Sequence, residues 1–240
     1  MVDDLIENVL FEYSYVQLYA LSFGYFILLY FGLAPLFLLV CKYFVRKNLL
    51  DLIDNRELRP GQLAFEKWHS LKSIIVFGFS IIPVIYFIRM GWIVLLPNTW
   101  INILIGLVVL TLWNEIHFFV VHRIMHQRFF MKNIHFVHHK SITPTVYSVY
   151  SFHWFEAFLL STVPITIAPF LPFSILAIFI YPFVSILLNY AGHCNYRFGS
   201  GKGDNWWLFG THHNKHHSKG KKNYGFALNF LDKLFSKPNH

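Results

Sequence analysis

Charge is the first thing this sequence has little of. Only 13% of its 240 residues are Asp, Glu, Lys or Arg, about half the share of a soluble globular protein. Meanwhile 55% are hydrophobic and 20% aromatic. A soluble fold of one-domain length cannot hide so much apolar surface, so the composition predicts a membrane protein. Cysteine is scarce too. Cys41 and Cys194 alone exclude a disulfide framework and a four-cysteine zinc site, and both lie at or near apolar segments, where packing explains them. There is no GxGxxG dinucleotide fingerprint and no repeat at solenoid or propeller spacing. The opening "MVDDLIEN" lacks a basic n-region, so no cleavable signal peptide is expected and the first apolar segment serves as membrane signal. Positive charge is in excess, at a net +8. In an apolar chain that fits basic loops at an anionic membrane surface, and no nucleic-acid partner is expected.

What is present is long apolar stretches. A spanning helix needs about 20 apolar residues. Tyr15 to Cys41, Ser73 to Ile88 and Ile101 to about Val121 meet or approach that length. Phe155 to Leu188 is apolar but contains "APFLP" (Ala168 to Pro172), which predicts a hairpin of two helices entering and leaving from one side. Lys42, Arg46, Lys47, Arg56, Arg59, Lys67 and Lys72 fill a predicted loop over residues 42–72, which the positive-inside rule places in the cytoplasm. Alternation then brings residues 122–154 and 193–240 to the same side. The polar stretch from "GSGKGDNWW" (199–207) onward reads as a cytoplasmic cap. The expected fold is all-α: an integral membrane helical bundle of about four transmembrane helices, with a cytoplasmic helical cap.

The third feature is histidine. Twelve of the 14 lie between His117 and His217. "HFVHH" places His135, His138 and His139 in HxxHH spacing, and "HNKHH" repeats it at His213, His216 and His217. Residues three and four apart share a helix face, so the three histidines of each box can point at one centre. "HRIMH" puts His122 and His126 four apart in the same way. His193 is a ninth candidate, or simply an interfacial polar residue. One transition metal rarely takes more than about six ligands, so eight or nine imidazoles predict two ions; neutral imidazole suits zinc, iron, copper or nickel. Glu115 returns to the face of His122 and can orient a ligand histidine or bind metal, or be a half-exposed acid at a helix end. His117 lies about 140° round the helix from His122, His212 points away from His213, and His69 and His240 read as solvated.

With "HRIMH", "HFVHHKSITPT", "YSFHWFEA", "GHCNYRF" and "HHNKHH…NYGFALNFLDKLF", the chain resembles the fatty acid hydroxylase and sterol desaturase superfamily of membrane di-iron enzymes, over roughly Asn114 to Phe235. The resemblance implies a single membrane domain over 1–240, with an N-terminal transmembrane part (1–110) and a hydroxylase-like catalytic region (114–235). It also implies an O2-dependent oxidation of an unactivated lipid C–H bond, giving a hydroxyl or a double bond. Two iron ions, with zinc as a substitute, would be held by His122, His126, His135, His138, His139, His213, His216 and His217; His193 matches a further family histidine. The family's aspartate ahead of the first motif is replaced here by Glu115, its "HPxE" by "HWFE", which retains His153 and Glu156, and its "WDxLFGT" by "LDKLFSK", which retains Asp232. Glu115, His153 and Asp232 are thus candidates for supporting the reaction, Asp232 by a hydrogen bond to a ligand histidine.

Phe118, Phe119, Tyr147, Tyr150, Phe152 and Trp154 can line an apolar channel or simply pack at the interface. With no nucleotide fingerprint, electrons are expected from a separate reductase, cytochrome b5 or ferredoxin. Lys202, Lys215, Lys219, Lys221 and Lys222 offer a docking patch for an acidic carrier, or contact with lipid headgroups. The expected location is endoplasmic reticulum if eukaryotic and inner membrane if bacterial. A metal transporter would place its histidines at the bilayer midplane, and a haem carrier needs one facing pair. The boxes beyond helix ends favour neither. The sequence leaves the lipid, and hydroxylation against desaturation, open.

Overall fold

A computed structural model describes residues 2–197, 211–220 and 222–235. The expectations for the 199–207 stretch, for Lys202 and Lys221, for the Lys219 side chain and for His240 lie outside the described residues. The chain opens with a short helix α1 (Val2–Phe11) that was not anticipated. Four long apolar helices follow among the described residues: α2 (Tyr15–Arg46), α3 (Gln62–Arg89), α4 (Trp100–Met125) and, later, α8 (Ile175–His193). Their length and composition fit an integral membrane protein.

The helix ends and breaks follow local chemistry. Ser14 and Gln17 form a reciprocal capping box at the start of α2. A π-helical turn at Leu28–Gly32 precedes Pro35, which cannot donate to the carbonyl of Phe31. Pro83 similarly leaves the carbonyl of Phe79 to accept from Ile82 at 3.1 Å, breaking α3 after Gly78. Thr99 caps α4 through the amide of Asn102 at 3.2 Å. Glycines set two close crossings: a Cβ on Gly78 would meet Tyr19 at 2.8 Å, and one on Gly106 would meet the Ala177 Cβ at 2.7 Å.

Two expectations are corrected. The second span begins at Gln62, so residues 62–72 are helix and not loop. The predicted hairpin is asymmetric. Its first limb is two short helices, α6 (Trp154–Ser161) and α7 (Val163–Ile167), because Pro164 interrupts the run. Its turn ends at a two-residue strand, β3 (Phe173–Ser174), paired in parallel with β2 (Leu95–Leu96). That turn therefore sits beside the start of α4, and α8 runs back along α4.

At the other end of α4, a segment over 128–139 (α5) is helical throughout, with a π turn at Met131–His135. The helix α9 (Thr211–Lys219) and the short α10 (Phe230–Phe235) complete a cap. β1 (Asp51–Leu52) pairs antiparallel with β4 (Tyr196–Arg197), tying the basic loop after α2 to the chain after His193. Cys41 and Cys194 are free, buried and part of one core cluster.

Candidate metal centre

The C-terminal end of α4, the α5 segment, the end of α8 and all of α9 meet at one place. There, nine histidines form two groups. His122, His126, His135, His139 and His216 make one; His138, His193, His213 and His217 make the other. Within each group the nitrogens lie within 4.8 Å of one another. These are the nine histidines singled out from the sequence. Their partition was not foreseen. Each HxxHH box splits: His135 and His139 go to the first group with His216, and His213 and His217 go to the second with His138. Adjacent residues on a helix diverge by about 100°, so His138 and His139, or His216 and His217, cannot converge on one centre. The interleaving binds α5 and α9 into both groups at once.

The rings are oriented through Nδ1. His122 Nδ1 is 2.9 Å from the Tyr224 carbonyl, His193 Nδ1 2.9 Å from the Asn189 carbonyl, and His216 Nδ1 2.6 Å from the Lys222 carbonyl. His213 Nδ1 faces the Gly225 carbonyl at 3.4 Å, and His135 Nδ1 donates to Glu156 Oε1 at 2.7 Å. A carbonyl only accepts, so the four rings that face one carry their proton on Nδ1 and a bare lone pair on Nε2. The Nε2 atoms of the cage converge on one another. His216 Nε2 lies 2.9 Å from His126 Nε2 and 3.1 Å from His139 Nε2, and His193 Nε2 lies 3.3 Å from His138 Nε2 and 3.2 Å from His217 Nε2. The Nε2 atoms of His122, His135 and His213 are buried without any partner.

Nitrogens each about 2.1 Å from one cation, at tetrahedral or octahedral angles, stand about 3.0–3.4 Å apart. The donor set therefore fits two metal ions, one per group. Burial, the larger effect, and neighbouring imidazoles keep the rings neutral: the pKa of His126 is pushed down to about 3 and that of His139 to about 2, and burial holds His216 at about 4. Neutral imidazole is the ligand form.

The remaining candidates lie around this cage and not in it. Asp232 accepts the backbone N–H groups of Tyr224 and Gly225, both at 2.8 Å. Glu115 Oε1 accepts those of Ala227 at 2.8 Å and Leu228 at 3.1 Å. The two acids thus pin the 222–232 strap, whose carbonyls at 222, 224 and 225 hold His216, His122 and His213. Asp232 acts one hydrogen bond further out than the sequence suggested. His153 caps α6, accepting from the Phe155 amide at 3.2 Å, and so fixes the turn that carries Glu156. His117 faces Thr162 Oγ1, and His212 faces Asn229. His69 is half-buried against Phe65.

Two residues carry more than the sequence indicated. Glu156 holds His135. Glu66, fully buried, accepts from Ser141 and Gln62 at 2.7 Å each and from Thr145, clamping the loop that leaves the His139 box. The Gln62/Glu66 pair at i, i+4 was a signal, but reading 62–72 as loop concealed it.

Of the six aromatics, Phe118 packs on His122 at 4.9 Å and Phe152 on His138 at 4.7 Å. Both line an apolar cavity under the cage, together with Tyr150. Phe119 packs on Phe235 and Tyr147 on Tyr30, and Trp154 is 60% exposed. Lys222 is exposed and Lys215 half-buried.

Residues 107–237, more than half of the chain, match the family model described as fatty acid hydroxylase. A stretch of 74 residues is 34% identical to lathosterol oxidase from Mus musculus, covering 31% of this chain and 24% of that protein. The chain thus matches about a quarter of that relative's length. No solved structure matches significantly.

Proposed function

The chain belongs to the fatty acid hydroxylase family, and we propose that it is a membrane-bound di-iron oxygenase that hydroxylates or desaturates an unactivated C–H position of a lipid. The observation that carries this reading is the pair of histidine groups with inward Nε2 atoms, with Phe118 and Phe152 between them and an apolar cavity. The match to lathosterol oxidase, by name an oxidase, supports it.

His122, His126, His135, His139 and His216 would hold one iron, and His138, His193, His213 and His217 the other. Two irons held there would supply the redox chemistry that amino-acid side chains lack for reducing O2 and oxidising such a bond. For hydroxylation, one C–H becomes C–OH while O2 takes two electrons and two protons and yields one water; desaturation yields two waters. The protein's part is positional. Backbone carbonyls and Glu156 fix the ring orientations. Phe118, Phe152 and Phe226 exclude water and pass hydrocarbon from the bilayer. Region 1–110 would be the N-terminal transmembrane part and 114–235, which contains all of α8 and the C-terminal half of α4, the catalytic region of one domain. Electrons come from an external donor such as cytochrome b5, a ferredoxin or a reductase, docking on the cytoplasmic face near Lys215 and Lys222.

The test is elemental analysis of detergent-purified protein produced with iron. About two metals per chain are expected, mostly iron, with an oxidised lipid formed once a reductase is supplied. His138→Ala and His216→Ala should abolish turnover and lower metal content, and His69→Ala should do neither. One metal or none in well-folded protein would return the assignment to metal transport or adventitious binding.

A further inference from the structure

Two buried polar side chains have no place in the metal cage and no partner of their own. Asn114 lies on α4, eight residues and about 12 Å of helical rise before His122, and is 6% exposed. Tyr150 is 7% exposed and is held by ring contacts with Tyr30, Phe77 and Phe26. Both line the cavity under Phe118 and Phe152, and neither side chain makes a hydrogen bond among the described residues. Of the other polar lining groups, Asn189 donates to the Val149 carbonyl and Ser161 to the Phe158 carbonyl, while Ser80, Tyr181 and Ser185 also line the wall. An unpaired amide and an unpaired phenol at membrane depth are costly, so the pair calls for a ligand group. No Lys, Arg or His lines the cavity, which disfavours an ionised carboxylate. An amide and a phenol each donate and accept, which matches a hydroxyl.

A second cavity, of about 380 Å³, lies beside it. The two share Phe26, Ser80, Pro164 and Pro182, and the second is lined mainly by apolar side chains such as Leu18, Val84 and Ile178. The order is therefore cage, polar pair, apolar chamber. We propose that Asn114 and Tyr150 bind the hydroxyl of a neutral lipid alcohol whose hydrocarbon lies in the second chamber, so that the C–H presented to the cage lies near the hydroxyl end. What the cage then does to that C–H rests on the oxygenase reading; the binding does not.

The experiment is equilibrium binding to the full-length protein in detergent, without turnover. The probes are 1-octadecanol against octadecane, cholesterol against 5α-cholestane, and octadecanoate. One alcohol should bind about tenfold more tightly than its parent hydrocarbon, and the pair that does so distinguishes a flexible chain from a fused ring. Asn114→Leu and Tyr150→Phe should each remove about three- to tenfold of the alcohol's advantage, with hydrocarbon binding and metal content unchanged. Alcohol and hydrocarbon binding alike would overturn the proposal, because the pair would then be satisfied by water. So would tightest binding of octadecanoate. If Asn114→Leu fails to fold, Tyr150→Phe removes only one oxygen and carries the test. A protein that binds the alcohol but takes no iron would sink the oxygenase reading and leave this one standing.

Discussion

An imidazole whose Nδ1 proton is committed to a carbonyl can only accept or coordinate through Nε2. Four rings of the cage are set this way, and what separates all nine from the other histidines is the convergence of their Nε2 atoms. His117, His153 and His212 have hydrogen-bond partners outside the cage, and the nine that converge have Nε2 left over. His193 was a candidate from its place at the end of an apolar helix and from the family resemblance; the spacing of the boxes made the other eight of the nine legible in sequence, because i, i+4 periodicity is local. Their Nδ1 partners were not, because Tyr224 lies 102 residues from His122 and Glu156 lies 21 from His135. Among the described residues, Glu156 is the one acid whose side chain hydrogen-bonds a ring of the cage. Glu156→Gln keeps an acceptor but removes the acid, and should weaken metal binding about 10- to 100-fold, read by competition with a chelator. Unchanged affinity would make Glu156 a packing residue.

At the scale of elements, the strap over 222–232 does what a single ligand-orienting acid was expected to do. Three of its carbonyls face three ligand rings, and Asp232 and Glu115 hold its amides. Gly225 is where it cannot tolerate a side chain: a Cβ there would stand 2.2 Å from the Leu228 carbonyl oxygen and 3.0 Å from Asp232. Gly225→Ala should therefore shift the strap, cost about 1–3 kcal/mol and lower metal content, measured by thermal unfolding and elemental analysis. Full metal occupancy with unchanged stability would show that the strap adapts. The motif "NYGFALNFLDKLF" was visible in sequence, but a carbonyl's direction depends on backbone angles that no residue type specifies. The start of α3 was misjudged for a related reason. Charged residues at 66, 67 and 72 looked like loop, yet Glu66 is buried by partners from 141–145.

For the whole molecule, the cap and the basic loop share one face: Asp54 and Asn195 exchange hydrogen bonds at 3.0 and 2.8 Å. The positive-inside rule would make that face cytoplasmic. A membrane-impermeant maleimide on sealed vesicles tests this, since both native thiols are buried. Glu57→Cys should label from the cytoplasmic side and Trp92→Cys from the other; the reverse pattern would invert the topology. Composition alone determined that the chain is membrane-bound and helical, because hydrophobic excess and run length are additive properties of residues. Spacing alone marked the eight box histidines as candidate ligands, because helical periodicity is local. Only the tertiary structure decided how they divide into two groups, that Asp232 and Glu115 act through a backbone strap, and that Asn114 and Tyr150 face one cavity. Each of those depends on the relative placement of α4, α5, α8 and α9, which long-range packing sets.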